Sequence, residues 1–195
     1  MGSFAIPDLD SYLNKMDQVF TAIRKKNIHN LILDLRGNQG GHPFFAAVLL
    51  SYLAQEPFTY FDDTDRVEEF GPLYEPMPPS EKTFQGDCYV LVDGGVLSTA
   101  GHLVSLIKYH NLGQFVGEEP GSSFYCNDMS RRIQLPNSKI EVNIPQKTFK
   151  TSVSGFKADA PFVVDFPAYM EVSDLTNGVD SQMEFTSQLI VSKNK

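Results

Sequence analysis

The chain has 195 residues, 42% hydrophobic and 21% charged, which is enough apolar mass for one compact core and too short for a large multidomain protein. No apolar run approaches the roughly 18 residues of a membrane-spanning helix. A formal charge of −8 leaves no basic footprint for a nucleic-acid backbone.

From Leu9, apolar residues recur at Tyr12, Leu13, Met16, Phe20 and Ile23, with Asp8 or Asp10 as cap and Arg24, Lys25 and Lys26 in the last turn. This spacing of three and four predicts a one-faced amphipathic helix. The stretch before it, Met1 to Ile6, lacks the basic and apolar regions of an export signal. Ile28 to Leu35 is a short apolar run that predicts a buried central strand, ending in the glycine-rich turn Gly37-Asn38-Gln39-Gly40-Gly41. Pro43 suits a first helical turn, and Phe44 to Leu53 is apolar nearly all round, so that helix is expected to be buried on most sides.

Pro57 to Asp87 holds five of the twelve prolines and only short apolar clusters, which predicts a long loop containing at most a hairpin. Cys88 to Val92 reads as a second buried strand, and a helix from about Ser98 carries Leu103, Val104, Leu106 and Ile107 inward. A third strand is expected at Gln114 to Gly117, and alternation across Arg132–Leu135 and Ile140–Ile144 around Pro136-Asn137-Ser138-Lys139 predicts a hairpin. A terminal helix is expected over Val179 to Val191. Two βα units and a strand make an α/β layered domain with a largely parallel sheet flanked by helices, followed by a C-terminal β-hairpin and terminal helix.

Two places carry chemistry. In Asp34-Leu35-Arg36-Gly37-Asn38-Gln39-Gly40-Gly41, glycines at a strand end let backbone N–H groups approach a ligand or a developing oxyanion; a tight turn with no ligand is the alternative. In Gly94-Gly95-Val96-Leu97-Ser98-Thr99-Ala100-Gly101-His102, a serine falls at the start of a helix, whose unpaired N–H groups favour an alkoxide or oxyanion. There the alternative is that Ser98 is simply the helix N-cap. Asp34 and Arg36 are expected to orient the glycine turn. The two cysteines, Cys88 and Cys126, are 38 positions apart, which excludes a zinc knuckle and leaves one disulfide open.

Leu31 to Gly41 resembles the LILDLRGNGGG signature of the S41 peptidases, the tail-specific or C-terminal processing proteases. Leu91 to Gly121 is similar to that family's second block through Leu91-Val92-Asp93, Ser98-Thr99-Ala100 and Val116-Gly117-Glu118. Leu135 to Lys139, the strand after it and Gly178-Val179-Asp180 resemble a bacterial, often exported branch, so the likeness runs from about Phe4 to Ile190. It implies a ClpP/crotonase-like core as one domain over residues 1–195, behind an upstream domain that this chain lacks, and a periplasmic, cell-envelope or secreted setting.

The resemblance implies Ser98 as nucleophile and Gly40 or Gly41 with Thr99 as backbone oxyanion donors. The family's lysine base falls on Ser123 and its glutamate three residues after the nucleophile on Gly101, so a Ser–Lys dyad at that position is excluded. The base then comes from an upstream segment or another chain, as in tricorn-like members, or from His42 or His102, a neutral imidazole being the usual partner of serine. His29 and His110 read as surface residues, and Lys108 lies too far along the helix to serve. The expected function is a serine endopeptidase acting on extended polypeptide through an acyl-enzyme, with residues 57–87 as lid or wall; the alternative is an inactive member of the fold that binds peptide or lipid. No cofactor or metal is implied, since nothing resembles a ligand cluster.

Overall fold

A computed structural model describes residues 1–5, 8–157 and 160–193; Ile6, the end of the N-terminal stretch read for an export signal, lies outside them. Helix α1, Leu9–Lys25, starts where the Asp8 carboxylate accepts from the Ser11 N–H at 3.0 Å. It buries Tyr12, Met16 and Phe20, and the Tyr12 hydroxyl donates to the Phe45 carbonyl at 3.0 Å, which seats it on the next helix.

Strands β1 (Asn30–Asp34), β2 (Asp87–Val92) and β3 (Gln114–Gly117) are parallel, and a two-residue strand β8 (Phe166–Pro167) joins them in the order β1-β2-β3-β8. Leu31 pairs with Cys88, Val90 with Phe115 and Val116 with Phe166. The expectation of a central β1 is corrected: it is an edge strand, half-buried throughout, whereas β2 is buried from Cys88 to Val92. The middle position falls to β2 because helix-bearing crossovers place its neighbours on both sides. Strand β8 is absent from the sequence reading; the Asp165 carboxylate fastens it, accepting from the Phe115 N–H at 2.8 Å while the Asp165 N–H donates to the Phe115 carbonyl.

Helix α2, Pro43–Ser51, buries most of its sides, and α3, Thr99–Tyr109, is buried from Thr99 to Ile107. These two pack on each other, and each follows one of the two chemical turns, which leave the C-terminal ends of β1 and β2. Beyond β3, strand β4 (Tyr125–Asp128) pairs antiparallel with β7 (Lys147–Lys150), and β5 (Arg131–Gln134) with β6 (Glu141–Ile144), the latter being the expected hairpin. Short α4 (Val172–Asn177) and terminal α5 (Ser181–Lys193) close the chain. No described helix is long and apolar enough to cross a membrane.

The proline-rich stretch after α2 is a loop braced at three points: a bridge between Phe58 and Met77, a 3-10 turn over Glu68–Tyr74, and a bridge from Phe61 to Thr151 beside β7. Phe58, Tyr60, Phe61, Leu73 and Tyr74 are buried in the main core and anchor the segment there.

Candidate active site

The strand β1 runs out at Asp34, and Asn38 ties the following turn together. Its side chain is fully buried, its Oδ1 accepts from the Gly40 N–H at 2.9 Å, and its carbonyl accepts from the Leu97 N–H at 3.0 Å in the loop before α3. Asp93, at the end of β2, binds both loops through one oxygen, accepting from Gly37 N–H at 2.8 Å and Gly95 N–H at 2.9 Å. The turn needs glycine at two places. A Cβ on Gly40 (φ +91°) would stand 2.9 Å from the Thr99 nitrogen, and one on Gly41 (φ +138°) 2.3 Å from the Phe4 backbone. Phe4 in turn grips the loop as a strand does, donating to the Gly40 carbonyl and accepting from the His42 N–H.

Ser98 stands at φ +52°, ψ −126°, a backbone state that costs an L-residue energy. It opens α3 as its N-cap residue, yet its side chain makes no capping hydrogen bond; the hydroxyl is instead turned to the Cys126 thiol of β4 at 3.7 Å. The next residue, Thr99, donates its hydroxyl to the Gly41 carbonyl at 2.5 Å, clamping the helix start to the glycine turn. Among the described residues, the Gly41 and Thr99 N–H groups donate to no protein acceptor, whereas that of Gly40 is taken by Asn38. Of the glycine pair, Gly41 is therefore the one with a donor to offer.

Gly41, His42, Ser98, Thr99 and His102 border one cavity of about 230 Å³ together with Phe61, Phe70, Cys126, Asp128, Met129 and Phe149. His42 caps α2, its Nδ1 accepting from the Phe44 N–H at 3.4 Å, and its ring lies 5.4 Å from that of Phe70. His102 is 2% exposed, with ring neighbours Phe61 at 5.6 Å and Tyr60 at 6.2 Å. Burial pushes its pKa down to about 4; the nearby Phe149 backbone opposes this, but no contact to either ring nitrogen has hydrogen-bond geometry. Among the described residues, neither imidazole contacts the Ser98 hydroxyl.

The other candidates sit elsewhere. Ser123 lines separate hollows, and Gly101 packs so closely on Ser122 that a Cβ would lie 2.7 Å from its carbonyl carbon. His29 is exposed and bonded to Asn27. His110 is half-buried rather than on the surface, and burial lowers its pKa. Lys108 bonds the Val163 carbonyl at 2.7 Å and Asp165 at 3.3 Å. Cys88 and Cys126 are free thiols; burial pushes Cys88 up to about 12 and raises Cys126, the Ser98 contact opposing the latter. The sequence does not mark Cys126, Phe61, Phe70 and Phe149 as site residues, since the pairing of β4 with β7 and the Phe61 bridge bring them to the cavity beside Ser98.

Arg36 locks the base of the turn. Its guanidinium bonds Asp34 and Asp180 at 2.7 Å each and Gln182 at 3.0 Å, tying the glycine turn to the start of α5. Burial would raise Asp34, but the Arg36 hydrogen bonds outweigh it and hold its carboxyl low; those same bonds hold Asp180 low. Both carboxylates are more than a third open to solvent on the Asp180 side and about a third on the Asp34 side, so Arg36→Met is expected to cost about 1–2 kcal/mol in urea denaturation near neutral pH. Because the folded pKa values lie below the unfolded ~3.9, the network's contribution is full above that and fades as pH falls through the folded values. In Arg36→Met, that acid-side decline is expected to flatten.

The fold is shared with solved structures. A peptidase-like protein of Parabacteroides merdae superposes with a TM-score of 0.67 at 19% identity, covering 96% of this chain and 58% of that one. An S41 protease-like protein of Bacteroides fragilis gives 0.67 at 17% identity, covering 98% and 53%. The photosystem II D1 C-terminal processing protease gives 0.63 at 18%, covering 93% and 46%. The chain thus spans about half the length of these structures. No curated protein matches it in sequence. The profile of Peptidase family S41 matches residues 1–156, most of the chain, and the protein belongs to that family.

Proposed function

We propose that the chain carries the catalytic serine of a peptide-bond hydrolase. The observation that supports this best is the posture of Ser98: a strained backbone, a hydroxyl released from capping, and two unengaged N–H groups, Gly41 and Thr99, at the same cavity. In this reading Ser98 Oγ attacks the carbonyl carbon of an extended polypeptide while its proton passes to a base. The Gly41 and Thr99 N–H groups hold the oxyanion of the tetrahedral intermediate. Collapse expels the amine, which takes up the proton, and water then hydrolyses the acyl-enzyme. The substrate as a C-terminal tail rests on the family resemblance.

The base is assigned to a group outside the contacts of Ser98. His42, at the cavity mouth, is the candidate within the chain; His102, held neutral by burial and without contact to Ser98, is better suited to packing or binding. An upstream segment or a second chain is the other source, in keeping with the half-length match.

Intact-mass analysis after incubation with a fluorophosphonate tests the reading across pH 6 to 9, the range in which imidazole changes charge. One adduct on the parent and none on Ser98→Ala is expected, with labelling at least about 100-fold slower once His42→Ala removes an in-chain base. Equal labelling in His42→Ala assigns the base elsewhere. A folded parent that takes no label has no activated Ser98 within this chain; labelling that appears once an upstream segment or second chain is supplied assigns the base there, and none even then makes the chain a peptide- or lipid-binding member of the fold.

A further inference from the structure

The cavity beside Ser98 is built for one kind of side chain. Its depth is aromatic: Phe61 and Phe70 from the proline-rich loop meet Phe149 of β7 at 5.6 and 5.8 Å between ring centroids, and Phe61 meets the His102 ring edge-on at 88°. Such edges and faces suit a further ring. Its volume of about 230 Å³ is many times the ~10–15 Å³ that one water occupies by the same measure.

Within this apolar wall sits a polar group, His102, whose ring nitrogens make no contact of hydrogen-bond geometry although the Phe149 backbone lies nearby. Both His102 ring nitrogens are buried and, among the described residues, without a partner, a state that native proteins rarely leave unexplained. A half-turn about χ2 exchanges each nitrogen with a ring carbon, so either edge of the ring can present one. The ring is neutral at physiological pH, with one donor and one acceptor. Charge is confined to the mouth, where Asp128 is exposed.

Building on the reading of Ser98 as the reacting serine, we propose that this cavity receives a tyrosine side chain of the bound polypeptide adjacent to Ser98, with His102 as the hydrogen-bond partner of its phenol. The phenol both donates and accepts, so it satisfies either imidazole tautomer. Phenylalanine fills the same walls but leaves His102 unpaired. Lysine and arginine find no carboxylate inside, and aspartate and glutamate find no cation.

The test uses Ser98→Ala protein, so that peptides stay intact, and a blocked peptide with tyrosine, phenylalanine, leucine or lysine at one position between small residues. Calorimetric titration is expected to give tyrosine about tenfold tighter binding than phenylalanine, with lysine weakest. Adding His102→Phe is expected to level tyrosine and phenylalanine while phenylalanine binding persists. Should that double variant not fold, ¹⁵N-histidine spectra of the single variant decide: the His102 ring nitrogens shift with the tyrosine peptide and stay put with the phenylalanine peptide. Equal affinity for the two, binding of neither, or a tyrosine preference that survives His102→Phe overturns the proposal.

The fluorophosphonate experiment separates the two readings. Tyrosine preference without labelling keeps the pocket and removes an activated Ser98 from this chain, whereas labelling without tyrosine preference keeps the activated serine and removes the pocket.

Discussion

Lowering the pH from about 6.5 to about 4 is expected to remove about 3 kcal/mol of stability through one side chain, His102. The sign follows from burial. In the unfolded chain the imidazole takes up a proton below 6.5, whereas in the folded chain it resists protonation until about 4. Between those values the unfolded state binds more protons, so stability climbs with pH; above 6.5 both states are neutral and the contribution is flat. No carboxylate or cation contacts the ring among the described residues; its ring neighbours are Tyr60 and Phe61, and charging it places an unpaired cation in a dry wall. Urea midpoints between pH 7 and 4 measure the slope. His102→Phe should lose most of it and, freed of two unpaired polar atoms, should be at least as stable as the parent at pH 5. His110, half-buried and shifted the same way, leaves a smaller residual slope. An unchanged slope in His102→Phe would assign the acid sensitivity elsewhere.

Replacing Gly41 with alanine is expected to abolish both the shape of the turn and the labelling of Ser98. At φ +138° an L-residue carries about 1–3 kcal/mol of strain. The larger cost is steric, because the new Cβ meets the Phe4 carbonyl carbon at 2.3 Å and the Ala5 nitrogen at 2.5 Å, both backbone atoms with little freedom to yield. The loop must move, and the Gly41 N–H moves with it. Overpacking of this kind costs about 1–3 kcal/mol beyond the strain, and displacing one oxyanion donor slows reaction by about 10²–10³-fold. Gly37→Ala is the control: its φ of +65° is also left-handed, yet open space surrounds its Cβ position. It should lose only about 1 kcal/mol and keep its labelling rate. Denaturation together with fluorophosphonate labelling rates distinguishes the pair, and similar behaviour of the two variants would remove Gly41 from the site.

Features governed by neighbours in sequence were readable in advance. The Asp8 cap, the continuous apolar run at Cys88–Val92, the alternation that made β5 and β6, and the glycine turn all express local rules of spacing and sterics. The features that eluded reading depend on distant partners. β8 is two residues long, one a proline, and exists because Asp165 docks on Phe115. β1 has the composition of a central strand and lies at the edge, a distinction set by topology. At the site, the placement of Ser98 and Thr99 against Gly41 followed from the two motifs, since both turns end adjacent parallel strands. The aromatic wall did not, because it gathers rings from a loop, a short antiparallel pair and a helix. Ser98 beside Cys126 likewise depends on how β4 pairs with β7.

The Arg36 lock also bears on the order of synthesis. A ribosome makes Asp180 a full 144 residues after Arg36, once every strand of the parallel sheet has been made. Until then the guanidinium has Asp34 alone, and the loop beneath the serine lacks its brace to α5. The nascent chain therefore carries this turn without its brace while those 144 residues are made, so a serine-directed activity would mature only once α5 has docked.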